Sequence, residues 1–259
     1  MQDGVKVWAA VAALALMGAA GAARAADEEI QVYQDDMSKK GQYGLDMHVN
    51  YVADNTAPLD YKGQQPSVYR TRITPEFAYG VTDNLELGLY LPLTTIQGNR
   101  FSALGEKARI KYIGTKPDAE GVFWGANFEL GRVDKPLDIN PWNAELKGIL
   151  GWRKDHWTIG FNTNIDWAVA GPDRAPATVQ FATKVSYKIN EKFALGVESY
   201  DGAGDFNHFG QFAGAGHSLY AVTNASVGKW DVEFGVGRGY SGENDQWTVK
   251  MIVGVPIDD

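Results

Sequence analysis

Ionic side chains recur at alternate positions along this chain, and they are the residues with the most chemistry to offer. On the polar face of successive alternating segments stand the bases Arg70, Arg72, Arg109, Lys111, Lys147, Arg153, Lys184, Lys188 and Lys250. The same face carries the acids Asp46, Glu76, Glu86, Glu129, Glu145, Asp166, Glu198, Asp231 and Glu233, and also His48. Rings of charged side chains around a narrow pore set which solutes pass. Opposite charges in near-equal number can also bridge an interior and close it. The residues expected to line a lumen are therefore His48, Arg70, Arg72, Glu86, Arg109, Lys111, Glu129, Glu145, Lys147, Asp166, Lys184, Glu198 and Glu233. Arg70, Arg72, Arg109 and Lys111 come from neighbouring segments of the N-terminal half, which predicts a basic stripe facing Glu129, Glu145, Glu198 and Glu233. Such a transverse field has no strong preference for anions or cations.

Other chemistries are less legible. The histidines, His48, His156, His208 and His217, have no metal-ligand spacing. His208 and His217 can be joined with Asp201 and Asp205 into a loop cation site, but Gly202, Gly204, Gly210, Gly214 and Gly216 read rather as a solvated, mobile loop. No helix start follows these glycines, so a phosphate cradle is disfavoured. A lipid hydrolase needs a serine activated by an oriented histidine. Ser186, Ser199 and Ser226 are the serines within strand-like segments, and nothing in the sequence sets His48 beside any of them. No enzyme activity, cofactor or metal is expected.

Strands must position the ionic face. Tyr43, Leu45, Met47, Val49 and Tyr51 alternate with Gln42, Gly44, Asp46, His48 and Asn50, and the run from Trp157 to Val169 separates in the same way. Short polar breaks at Thr82 to Asn84, Thr115 to Gly121, Arg153 to His156, Asn190 to Lys192 and Gly228 to Lys229 recur about every 36 residues, the length of a hairpin with its loop. The longer breaks fall between them. About twelve strands result, beginning near Gln42, Tyr69, Leu85, Lys107, Val122, Trp142, Trp157, Ala177, Phe193, Leu219, Trp230 and Trp247. Their length of about ten residues suits a tilted strand crossing a bilayer, and tight turns at one rim with long loops at the other are the habit of outer-membrane barrels. Two places resist this pattern. Pro75 lacks a ladder donor and should mark a bulge, and in the tenth strand Tyr220 and Val222 face opposite to Ala225 and Val227.

The first residues, with Lys6, an apolar run from Val7 to Ala20 and Ala23-Arg24-Ala25, have the order of a signal peptide over residues 1–25; the alternative is an uncleaved anchor. The mature chain, 26–259, is then one barrel domain preceded by an acidic lead-in over 27–40, periplasmic or lumenal. Losing one acidic and two basic residues takes the formal charge from -8 to -9, which excludes a nucleic-acid binder. No cysteine is present, so neither a disulfide framework nor a thiolate metal site exists. Period two alone cannot say which face points outward. The apolar face is almost free of charge, and Tyr79, Tyr112, Trp124, Trp152, Trp157, Tyr187, Phe193 and Trp230 cluster on it near the short-turn rim. That is the aromatic girdle of a wall facing lipid. The expectation is an all-β fold, a transmembrane antiparallel up-and-down barrel of about twelve strands, with outer-membrane lipid outside and both termini periplasmic. Leu87 is expected on the lipid face near the midplane and Glu86 on the lumenal one.

At Tyr79-Gly80-Val81-Thr82-Asp83-Asn84-Leu85-Glu86-Leu87-Gly88, followed by Leu91-Pro92, the chain resembles the outer-membrane proteins of the MetA-pathway of phenol degradation family, and the closing Val253-Gly254-Val255-Pro256-Ile257 is similar in style. The resemblance implies a barrel in the outer membrane and a transporter or channel, with small hydrophobic or aromatic solutes as cargo, and it names no catalytic residue. Ile257-Asp258-Asp259 replaces the terminal aromatic through which the barrel-assembly machinery usually recognises such chains. A closed structural barrel displaying the loops Asp54 to Ser67 and Asp201 to His217 is the second expectation, and an outer-membrane lipid hydrolase the third.

Overall fold

A computed structural model describes residues 29–55, 59–96, 100–213, 215–240 and 245–257. The expected signal peptide, residues 1–25, and the terminal Asp258 and Asp259 lie outside the described residues. Fourteen strands follow one another: β1 (Tyr43–Asn55), β2 (Thr71–Gly80), β3 (Leu85–Tyr90), β4 (Leu93–Ile96), β5 (Arg100–Ala103), β6 (Gly105–Thr115), β7 (Gly121–Val133), β8 (Trp142–Lys154), β9 (Trp157–Ala170), β10 (Thr178–Asn190), β11 (Phe193–Asp205), β12 (His217–Val227), β13 (Trp230–Tyr240) and β14 (Asp245–Gly254). Twelve of them form the wall. Each pairs antiparallel with the wall strands before and after it, and β1 pairs with both β2 and β14, so the wall closes on itself. All of the short breaks read from the sequence are turns at one rim.

The remaining pair, β4 and β5, is a small hairpin at the long-loop rim that the strand pattern did not anticipate. It arises where Leu91-Pro92 interrupts the third wall strand, after which β4 pairs with β2 at Arg72 and Ile73 and exchanges side-chain hydrogen bonds with Thr71. Pro75 sits opposite this interruption, and the expected bulge is absent. Met47 pairs with Pro75 in unbroken register, while the proline carbonyl accepts the Leu91 N–H at 3.1 Å. Amide and carbonyl of one strand residue point the same way, so the missing donor of Pro75 faces the break rather than β1. The tenth wall strand is also regular. β12 pairs with β11 and β13 without a shift, and its Tyr220 and Val222 point into the barrel. An apolar patch inside the lumen, not a register fault, caused the apparent conflict.

Along most wall strands the large apolar side chains stand exposed on one face and the ionic ones are buried on the other. The girdle aromatics Tyr79, Tyr112, Trp124, Trp152, Trp157, Tyr187, Phe193 and Trp230 are all exposed on the outer wall. Several meet in tilted or edge-to-face pairs, Tyr43 with Tyr79 at 4.9 Å, Trp157 with Tyr187 at 4.8 Å and Tyr112 with Trp124 at 6.1 Å between ring centroids. A soluble barrel would bury these rings instead.

Candidate functional site: the barrel interior

Because strand side chains alternate across the sheet, every second residue of each wall strand enters the interior. His48, Arg72, Glu86, Arg109, Lys111, Glu129, Lys147, Lys184, Glu198 and Glu233 are buried there, and Glu145 and Asp166 are partly buried. Arg70 differs. It lies just ahead of β2, buried at the long-loop rim, where its Nη1 donates to the Gln65 carbonyl at 3.0 Å. Lys188 and Asp231 are exposed at the opposite rim.

The charges do not separate into a basic stripe and an acidic one. They interleave on neighbouring strands, because the ladder sets acids and bases side by side at the same depth. One cluster spans β1, β2, β3 and β6. Arg109 pairs with Glu76 and, at 2.7 Å, with Glu86, while His48 Nε2 meets Glu76 Oε2 at 2.9 Å. A second spans β10, β11, β13 and β14. Lys184 reaches Glu198 at 3.2 Å and also pairs with Glu233, and Lys250 pairs with Glu198 and, at 2.7 Å, with Glu233. Tyr200 donates to Glu198 at 2.8 Å and Asn224 to Glu233 at 2.9 Å. A third pair joins Lys147 to Glu145 at 3.1 Å on β8. The predicted transverse field is thereby replaced by local neutralisation. Buried charges at these depths require such partners.

The chain's own lead-in completes the interior. Residues 29–40 run inside the barrel and reach the short-turn rim at Gly80, where the Gly41 amide donates to the Gly80 carbonyl at 2.7 Å. Gly41, at φ +79°, reverses the chain into β1. Ile30, Val32, Tyr33 and Asp35 are 8, 3, 2 and 4 % exposed. Ile30 and Val32 pack with Ala182, Tyr200, Tyr220 and Val222, and Tyr33 with Ile113, Phe123 and Ile149. Polar bonds hold the backbone: Lys250 Nζ donates to the Ile30 carbonyl at 3.0 Å, Lys111 Nζ to that of Asp36 at 2.6 Å, and the Ser38 N–H to Glu86 at 2.5 Å. Asn162 exchanges two bonds with Tyr33, accepting its N–H at 2.6 Å and donating to its carbonyl at 2.9 Å. Arg153 pairs with Asp35 at 2.8 Å. The Tyr33 ring lies among three cations, with Lys147 Nζ 3.9 Å, Lys111 Nζ 4.8 Å and Arg109 Cζ 5.8 Å from its centroid. The hydroxyl of Tyr33 hydrogen-bonds that of Tyr90.

Residue types alone did not mark Tyr33, Tyr90 or Asn127 as interior groups, and Glu76, Asn162 and Lys250, though on the polar face, were left out of the expected lining. The Ile30-Gln31-Val32-Tyr33 patch was the available signal, an apolar run too short to cross a bilayer that still needed a place to bury. The hairpin that carries the family resemblance has a local role here. A Cβ on Gly80 would come 2.2 Å from the Lys39 carbonyl oxygen. Gly80→Ala should therefore cost about 1 to 3 kcal/mol by overpacking, read as a shifted urea midpoint. Gly148→Ala, whose Cβ would meet nothing closer than 4.0 Å, is the matched control.

No hydrolase constellation forms around the serines considered. Ser199 donates to Asp201 at 2.9 Å, Ser226 to Asp231 at 2.6 Å and Ser186 to the Thr158 carbonyl at 3.4 Å. Nor do the loop histidines share a site. His208 Nδ1 meets Asp205 at 3.1 Å and His217 Nδ1 meets Asp201 at 2.8 Å, as separate pairs. Among the described residues, Glu29, His48 and Glu76 bring ligand atoms within 4.8 Å of one another. Glu76 there already engages Arg109 and His48, so the group reads as part of the first ion-pair cluster. A crevice of about 670 Å³, lined by Phe161, Phe181, Phe212, His217 and Tyr240 among others, opens separately on the outer wall.

The sequence matches no family profile and no curated protein. Solved structures do resemble it. The KdgM porin in complex with disordered oligogalacturonate superposes with a TM-score of 0.53 at 9% identity, covering 83% of this chain and 99% of that one. A second KdgM porin structure gives 0.53 at 10% identity over the same shares. The NanC porin gives 0.48 at 13% identity, covering 81% of this chain and 97% of that one. What this chain shares with KdgM is the fold, a closed twelve-strand antiparallel β-barrel of the outer-membrane porin type.

Proposed function

We propose that the mature chain is an outer-membrane channel for passive passage of small solutes. The observation that carries this reading is the inversion of the barrel, apolar with an aromatic girdle outside and ionic within, which suits a wall between lipid and a polar lumen. Its lining is the set from His48 to Glu233 given above. The short-turn rim, where β1 begins and β14 ends, faces the periplasm, and the barrel-assembly machinery inserts the chain after removal of residues 1–25. The resemblance to the phenol-degradation barrels makes hydrophobic and aromatic compounds the first cargo to try. KdgM is a porin whose solved structure is a complex with disordered oligogalacturonate, so acidic oligosaccharides are the second class.

Planar-bilayer recording of the refolded mature chain tests the reading. Discrete conductance steps are expected, and Glu86→Gln, which weakens one partner of Arg109 while leaving Glu76 in place, should change their size. A barrel that never conducts, even with its interior cleared, would leave the display reading. That second reading is favoured by one observation, the ion pairing that joins Glu76, Glu86 and Arg109 and, across β10, β11, β13 and β14, Lys184, Glu198, Glu233 and Lys250. Phospholipid turnover by the purified chain would instead support a hydrolase.

A further inference from the structure

We propose that residues 29–40 are a displaceable plug that closes the channel and leaves the lumen through the short-turn rim by pivoting about Gly41. The inference rests on the channel reading above and concerns the same interior.

The segment crosses the lumen, touching the wall from β3 and β6 on one side to β12 and β14 on the other. A twelve-strand barrel is wider than the eight-strand type that side chains fill alone and narrower than a wide porin, so one extended segment is enough to block it. The wall does not need the segment. β1 closes on β2 in unbroken register and on β14 through a ladder that shifts only between Val52 and Asn55; residues 29–39 take no part in either, and among the described residues the one strand-like contact of the segment is the isolated bridge between Lys40 and Gly80. The wall groups that hold it also keep partners of their own: Lys250 retains Glu198 and Glu233, and Glu86 retains Arg109. Withdrawing the segment therefore strands none of these charges, and water can take the place of the carbonyls that Lys250 and Lys111 now bind. The pivot has room around it while its amide stays anchored to the Gly80 carbonyl at the rim. Gly41 adopts φ +79°, and no atom lies within 4 Å of where its Cβ would be.

Because the chain has no cysteine, a lock can be installed without background. A Cβ at Gly160 would stand 3.4 Å from Gln34 Cγ, about where a cysteine sulfur at position 34 would lie, within reach of a disulfide. Three forms are compared in planar bilayers, each shown to be folded by its heat-modifiable gel shift: wild type, a chain lacking residues 29–38, and Gln34→Cys/Gly160→Cys. Deletion should raise mean conductance about tenfold, as a mostly closed population becomes mostly open. The oxidised double variant should stay shut, and reduction with dithiothreitol should return it to the wild-type level. Tyr33→Ala, which removes the ring from its three cations, should fall between wild type and deletion.

Equal conductance of wild type, deletion and oxidised lock would overturn the plug and leave the channel standing. A folded deletion variant that never conducts would overturn the channel reading itself, and the plug with it.

Discussion

Lys250→Met is expected to lower the unfolding free energy of the barrel by about 3 to 5 kcal/mol, because removing one partner of a buried ion cluster leaves the other charges uncompensated. Lys250 is 0 % exposed and pairs with Glu198, itself 0 % exposed, and with Glu233. Lys184 would then remain as the single cation for two carboxylates. Methionine keeps the length and apolar stem of lysine, so a cavity contributes little to the loss. Urea unfolding in lipid vesicles reads the effect. Adding Glu198→Gln to Lys250→Met should restore part of the stability, since it removes the orphaned charge. A single-variant loss below about 1 kcal/mol would mean that the cluster is wet and screened rather than desolvated.

The second large effect belongs to the outer wall. Leu146→Arg is expected to cost about 2 to 4 kcal/mol, the range for an arginine on the lipid face at mid-depth. Leu146 is 42 % exposed on β8 and lies between Trp142 at the long-loop end and the girdle residue Trp152. Leu87→Arg makes an internal depth gauge. The ladder sets Leu87 beside the girdle residue Tyr79, near the rim and not at the midplane where the sequence pattern alone had suggested it. Its arginine should cost only about 0 to 1 kcal/mol, as near an interface. Equal costs at the two positions would contradict a lipid-facing wall graded in depth.

Much of this protein follows from a period of two. A strand that must satisfy every backbone group inside a bilayer has to pair on both sides, so alternation, turn spacing and an even number of crossings together leave little besides a closed barrel. That logic identified the turns, the girdle and the enclosed charged residues such as Arg109, Lys184 and Glu198, because each depends on local spacing. It misplaced Pro75, whose unused donor direction depends on what lies across the ladder, and it misread Tyr220, whose inward apolar ring makes sense only once Ile30 and Val32 are seen beside it. Which base meets which acid was beyond the pattern as well, since pairing depends on the stagger between strands and not on order along them. The same holds for the lead-in. Its sequence shows a short apolar patch in an acidic stretch, while its burial in the lumen is decided by the closure of strands far along the chain, which brings together the apolar surface on which Ile30, Val32 and Tyr33 pack. The chain's order of residues thus determined the wall and its two faces, because those are short-range consequences of alternation. What fills the wall was settled by tertiary structure, because the depth and pairing of interior groups exist only after the sheet has closed.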